Sequence, residues 1–151
     1  NRIMHDSRLG TYGTAALILG FLFRVGVALS LVELGYSLMV ILAFGFATGK
    51  LAIIIIRNYF DTSLFSKTGS IIEPVTTKNF IIALIIWFVP LIIVFPLLGI
   101  LFGIIFVLVI IILFGRMSSQ KLGGLTGDVI GATAFVSEMI FLFGLTLYLR
   151  L

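Results

Sequence analysis

Apolar residues run along this chain in blocks that are long, nearly free of charge and without period-two alternation. The first, Tyr12 to Leu31, is broken by one charge, Arg24, and the second, Gly35 to Ile56, by Lys50. Phe80 to Gly115 holds no charge and is about twice the ~20 residues that one membrane-crossing helix needs. It divides at "PLLG", Pro96 to Gly99, because proline removes a helical donor and glycine accepts turn geometry. A last block runs from Asp128 to Leu149, with Glu138 inside it. The pattern predicts an all-α, polytopic integral membrane protein of about five transmembrane helices, two of them forming a tight hairpin. A transmembrane barrel would alternate apolar and polar positions, and these blocks do not.

Composition strengthens that reading. The chain is 61% hydrophobic and 11% charged, with a mean hydropathy of +1.31. Soluble domains run near 45–50% apolar and roughly 25% charged, so the bilayer is the expected partner for the excess. Cysteine is absent, which removes disulfides from the argument. The polar start "NRIMHDSR" leads directly into a full-length span without the pattern of a cleavable signal peptide. Position 1 is not Met, and the chain is expected to continue a longer protein. Residues 1–151 form a single transmembrane domain with one linker, Arg57 to Asn79.

Five alternating spans put three polar segments on one side: Asn1–Thr11, Arg57–Asn79 and Arg116–Gly127. They carry Arg2, Arg8, Arg57, Lys67, Lys78, Arg116 and Lys121, whereas the other side has Glu33 and Arg150. Lysine and arginine bias in short loops predicts that the three segments are cytoplasmic. "HDSRLGTYG" and "GGLTGD" then open to one compartment. A Gly-rich loop entering a helix offers unpaired N–H groups and the positive end of the helix dipole, a natural seat for phosphate or pyrophosphate. Thr126 and Asp128 add oxygens suited to a helix cap or to Mg2+. Arg8, Arg57 and Lys121 could face the phosphate charge. The alternative is packing: Gly123, Gly127 and Gly131 follow the four-residue spacing of close-approaching membrane helices, as do Gly45 and Gly49.

Arg24, Lys50 and Glu138 interrupt apolar blocks, and a charge near a span's centre costs about 2.5–3.5 kcal/mol on insertion scales. Glu138 is ten positions after Asp128, and Arg24 ten after Thr14. Matching depth predicts that Glu138 pairs with Arg24 or Lys50. The spacing of Asp128, Gly131, Phe135 and Glu138 also predicts one stripe, with Glu138 flooring a polar cavity. His5 is the only histidine and has no second ligand type near it, which argues against zinc.

Two stretches, "MHDSRLGTYG" (Met4 to Gly13) and "GGLTGDVIGATAFVSE" (Gly123 to Glu138), resemble the adenosylcobinamide-GDP ribazoletransferases, or cobalamin synthases. The likeness covers nearly the whole chain in the order and separation of its motifs. It implies an Mg2+-dependent transferase of the cell (inner) membrane with its active face in the cytoplasm. Such an enzyme joins α-ribazole, or its 5′-phosphate, to adenosylcobinamide-GDP and releases GMP. Asp6, Ser7, Arg8, Gly10, Thr11, Tyr12 and Gly13 match the first motif. Gly123, Gly124, Thr126, Gly127, Asp128, Gly131, Ala132 and Glu138 match the second. The implied catalytic residues are Asp128, Glu138 and Arg8. Asp128 and Asp6 would meet the metal. Substrate contacts would come from Asp6, Ser7, Arg8, Gly10, Thr11, Tyr12, Lys50, Arg57, Gly123, Gly124, Thr126 and Gly127. The chain departs from the family at His5, where lysine is usual, and at Ala134–Phe135, often Asn–Glu. It also has Gly49–Lys50 where an arginine follows Ser or Gly. An aspartate-rich segment that precedes the first motif in the family does not occur here. The chain therefore reads as the C-terminal part of a synthase, not expected to catalyse alone.

Two other readings compete with the transferase. A transporter or membrane scaffold could use Arg24, Lys50 and Glu138 as a relay, though the paired repeats common in transporters are missing. A CDP-alcohol phosphotransferase would carry Asp-x-x-Asp-Gly-x-x-Ala-Arg, which this sequence lacks. Nothing calls for nucleic acid, and oligomeric assembly is left open.

Overall fold

In lipid every backbone N–H and C=O must be satisfied within the chain, and a helix does this residue by residue. The computed structural model describes residues 10–63 and 73–151 and contains five long helices. They are α1 (Thr11–Glu33), α2 (Leu38–Tyr59), α3 (Thr77–Val94), α4 (Leu97–Leu122) and α5 (Gly127–Arg150). Each is long and apolar enough to cross a membrane. The chain is an all-α, multi-pass membrane protein.

The hairpin falls where the sequence placed it. Phe95 caps α3 and Pro96 is the N-cap of α4, so the turn is closed by the residue that cannot continue the first helix. A second proline, Pro90, lies inside α3, a position tolerated in membrane helices. One boundary differs from expectation. Residues 116–122, assigned to a polar loop, extend α4 by two turns and end at Gly123 in the left-handed region (φ 67°). Arg116, Ser119, Gln120 and Lys121 are exposed on those turns while Ser118 is buried. Polar residues therefore surround the helix end without breaking it.

Helix α5 is the centre of the packing. Its most extensive contacts are with α4 and then α2, and it also meets α1. Of its most apolar window 56% is buried, against 6% for α3. Small residues make this possible. A Cβ on Gly49 of α2 would lie 2.8 Å from the Ala134 carbonyl oxygen of α5. One on Gly144 of α5 would lie 2.9 Å from the Gly103 Cα of α4. Backbones at such distances exchange dispersion contacts that larger side chains would prevent, which is how helices associate where no hydrophobic force separates protein from lipid. The packing account of Gly45 and Gly49 holds. It fails for Gly131, whose Cβ direction meets nothing within 4 Å.

Aromatic residues close the interior. Trp87 of α3 turns inward and donates its Nε1–H to Thr48 Oγ1 (3.0 Å), which itself donates to the Phe44 carbonyl (2.7 Å). The indole also meets the Phe141 ring at 5.7 Å between centroids. The outer faces of α1, α3 and α4 carry exposed Leu, Ile, Val and Phe, the surface expected to face hydrocarbon.

Candidate functional site at the glycine-rich loop

Helix geometry leaves the first N–H groups of α5 without intrahelical acceptors. Thr126 caps the helix by accepting from Val129 N–H (3.4 Å). The N–H groups of Gly127 and Asp128 remain at the mouth of the helix, where the dipole is positive. The Asp128 side chain is exposed there. An anion with a divalent cation is the chemistry such a terminus can accommodate.

The loop before it is held by the linker. Leu125 N–H donates to the Asp61 carbonyl (2.8 Å) and Ser63 N–H to the Leu125 carbonyl (2.9 Å), forming a one-residue parallel bridge between Thr62 and Leu125. Ser118 Oγ donates to the Gly124 carbonyl (2.7 Å), and Ser63 Oγ to the Leu122 carbonyl (2.9 Å). Gly124 has φ 139°, and a Cβ there would sit 2.5 Å from Ser63 N. Glycine is needed at that point for both conformation and space. Part of the "GGLTGD" glycine content thus serves the clamp, and the open donors lie one step further on, at 127 and 128.

Other predicted residues can be placed from the same end. Helices α1 and α5 run parallel, since Gly20 opposes Phe135 and Glu33 reaches Arg150. That register sets Gly10, Thr11 and Tyr12 level with the first turn of α5. Tyr12 is exposed there. Arg57, in the last turn of α2, reaches the Phe60 carbonyl (3.4 Å), so it belongs to this end as well. Asn58 makes two hydrogen bonds with the Val75 backbone, tying the far side of the linker to α2. Lys121 is exposed and flanks an apolar cavity of about 270 Å3 with Phe114, Met117, Val129 and Ala132. His5, Asp6, Ser7 and Arg8 lie outside the described residues, and so does Lys67. Sequence reasoning missed Asp61, Thr62 and Ser63, whose contribution is backbone and carries no residue-type signature.

Glu138 does not join this group. It lies ten positions beyond Asp128, roughly 15 Å along the helix, and is 5% exposed. Its carboxylate is paired with the Arg24 guanidinium, and its stem is closed in by Gly45 and Gly49 of α2. Among the described residues a packed ion pair replaces the expected open cavity. The stripe argument failed because 10 residues at 100° each leave Glu138 about 80° from Asp128: Asp128 and Gly131 are exposed, while Glu138 turns to α2. Lys50 stands apart too, exposed on the α2–α3 side with its Nζ over the Phe46 ring (4.8 Å to the centroid). The three-charge relay is therefore not assembled. Among the described residues no three of His, Cys, Asp and Glu gather into a metal-holding group.

Comparison with known proteins decides the family. The profile for cobalamin-5-phosphate synthase matches residues 1–146. The chain belongs to this family. Among curated relatives, adenosylcobinamide-GDP ribazoletransferase of Clostridium botulinum (strain Okra / Type B1) is 32% identical over 148 residues, covering 93% of this chain and 56% of the relative. The protein of the same name from Citrobacter koseri is 31% identical over 144 residues, covering 95% and 58%. That of Sinorhizobium medicae is 32% identical over 155 residues, covering 96% and 58%. The chain thus spans somewhat more than half the length of these relatives. No solved structure matches it.

Proposed function

We propose that this membrane domain forms part of an adenosylcobinamide-GDP ribazoletransferase whose substrate pyrophosphate docks at the N-terminus of α5, on the cytoplasmic side of the cell membrane. The observation that carries the reading is the clamped loop. Two linker hydrogen bonds fix Leu125, and the next residues present a capped helix start with two open N–H groups and an exposed carboxylate. The family relationship supports the ligand, and the lysine and arginine bias supports the side.

Magnesium suits this site in a specific way. Mg2+ is commonly held by one or two carboxylates together with substrate phosphates instead of an all-protein cage, and Asp128 is a single exposed carboxylate of that kind. Asp128, with Asp6 as second candidate, would hold the ion, which supplies neutralisation of the pyrophosphate charge. The chain's own groups do the rest. Gly127 and Asp128 N–H groups receive phosphate oxygens, and Arg57 and Lys121 stand at the same end as counter-charges. Arg8 is the candidate for a bidentate grip. In the transfer, the ribazole hydroxyl oxygen bonds to the phosphorus bearing cobinamide. The bond from that phosphorus to the bridging oxygen breaks, GMP leaves with the electron pair, and the hydroxyl proton is released. Donors aimed at the leaving phosphate lower the barrier because charge accumulates there in the transition state.

The test is ribazole transfer by the natural-length protein in membranes. Asp128→Asn keeps size and removes charge, so its activity should fall at least about a hundredfold and respond differently to Mg2+. Gly124→Ala should lower activity through loss of the clamp. Unchanged transfer by both variants at low substrate would remove the loop from the reaction.

A further inference from the structure

Lys50 raises a question that neither the fold nor the loop answers. It lies nine residues before the end of α2 at Tyr59 and twelve after its start at Leu38. At ~1.5 Å per residue that is about 14 Å and 18 Å from the two ends, the middle of a ~30 Å hydrocarbon layer. Its side chain runs back along the helix to the Phe46 ring, and among the described residues no carboxylate accompanies it. A lysine stem spans too little to bring its ammonium to either interface from that depth. Cation–π contact offsets less than the cost of placing the charge at mid-span. The other two mid-span charges, Arg24 and Glu138, satisfy one another. One positive charge is left over.

The surface around it is shaped to be covered. Lys50 borders a cavity of about 470 Å3 between α2 and α3, with Ala43, Ala47, Ala83, Ile86 and Trp87 along its walls. Three alanines allow another backbone to come close. Helix α3, which forms one wall, has most of its surface outside the bundle. Among the described residues a second copy offers no answering group at mid-span: the acidic residues are Glu33, Asp61, Glu73 and Asp128, all at helix ends or in the linker, and the buried Glu138.

We propose that the α2–α3 face is the docking surface for a further transmembrane helix that carries an aspartate or glutamate at mid-depth, with Lys50 as its counter-charge. Burial of the pair between helices removes the exposed charge from hydrocarbon, and the alanine-lined groove receives the helix backbone.

The absence of cysteine makes the proposal directly testable. The protein bearing Ala47→Cys is reconstituted in phosphatidylcholine vesicles with a synthetic Leu/Ala membrane-spanning helix containing one central Glu and one nearby Cys. Disulfide cross-linking should exceed that of the Gln or Leu version of the helix by about tenfold. Adding Lys50→Leu should abolish the preference, and Lys50→Arg should retain it. Lys50 is exposed, so neither substitution disturbs the bundle, and thermal unfolding in detergent serves as the control. Equal cross-linking of the Glu and Leu helices overturns the proposal. So does a disulfide between two protein copies without peptide, which would assign the face to self-association. Loss of the Glu preference on adding phosphatidylglycerol overturns it in favour of an anionic lipid at Lys50.

Discussion

Two Arg–Glu pairs join α1 to α5, one at mid-span and one at the end remote from the glycine-rich loop. Arg24 and Glu138 meet inside the bundle, with side chains 29% and 7% exposed. Arg150 and Glu33 meet at 2.6 Å with side chains 48% and 70% exposed. The second pair is the better hydrogen bond, since Glu138 Oε1 makes its charge contact without a well-directed one. Geometry alone would rank the outer pair first. Environment reverses the order. Water and salt screen the outer pair, so separating it exchanges one solvated state for another. Separating the inner pair strands a charge among apolar groups, and that orphan is the costly state.

The comparison is broken most directly at its inner member. Glu138→Leu or Arg24→Leu should each destabilise by about 3–5 kcal/mol, read as a lower unfolding midpoint in mixed micelles. The double variant should recover most of that loss, because two leucines leave no orphan. A double variant no better than either single would show that packing, not charge, dominates there. A smaller effect belongs to the wall that encloses the pair. Gly49→Ala pushes a Cβ against the Ala134 carbonyl and should cost about 1–3 kcal/mol by overpacking. It should also lessen the penalty of Arg24→Leu, since a displaced α2 admits water to Glu138. The smallest effect is at the outer pair: Arg150→Ala or Glu33→Ala should change stability by under about 1 kcal/mol, and that change should fade at high salt. An outer effect equal to the inner one would refute the account from environment.

How much of this could be seen in the sequence depends on what each feature is made of. The five spans and the Pro96 turn were legible because length, charge and proline act locally. Pairing of Glu138 was legible as a choice between two cations, since depth follows from counting residues along each helix. Choosing Arg24 over Lys50 required knowing which face of α2 meets α5: Gly45 and Gly49 lie against Glu138 and Ala134, which leaves Lys50 exposed on another face, while Gly20 of α1 opposes Phe135 one turn from Glu138. The α4 boundary was misread because Arg116 and Lys121 look like a loop until the helix is seen to continue into polar surroundings. At the candidate site the reading was partial. The glycine motif and Asp128 stood out, but the clamp from Asp61 to Ser63 acts through backbone atoms 62 residues from Leu125 in the case of Ser63. The stripe argument overreached at Glu138, where the helical turn of about 100° per residue sends the side chain to a different neighbour from that of Asp128.

The central position of α5 has a consequence for the order of synthesis. Of the five helices, it leaves the ribosome last, yet it contributes the largest buried share. Helices α1 to α4 are therefore made before α5 exists, with Arg24 waiting in α1 for a carboxylate that is translated 114 positions later. A nascent chain that stalls within α4 presents the insertion machinery with an uncompensated arginine and with Gly49 and Gly103 facing no helix. Packing of these five helices thus waits on the arrival of α5, and until then Arg24 lacks the carboxylate that neutralises it.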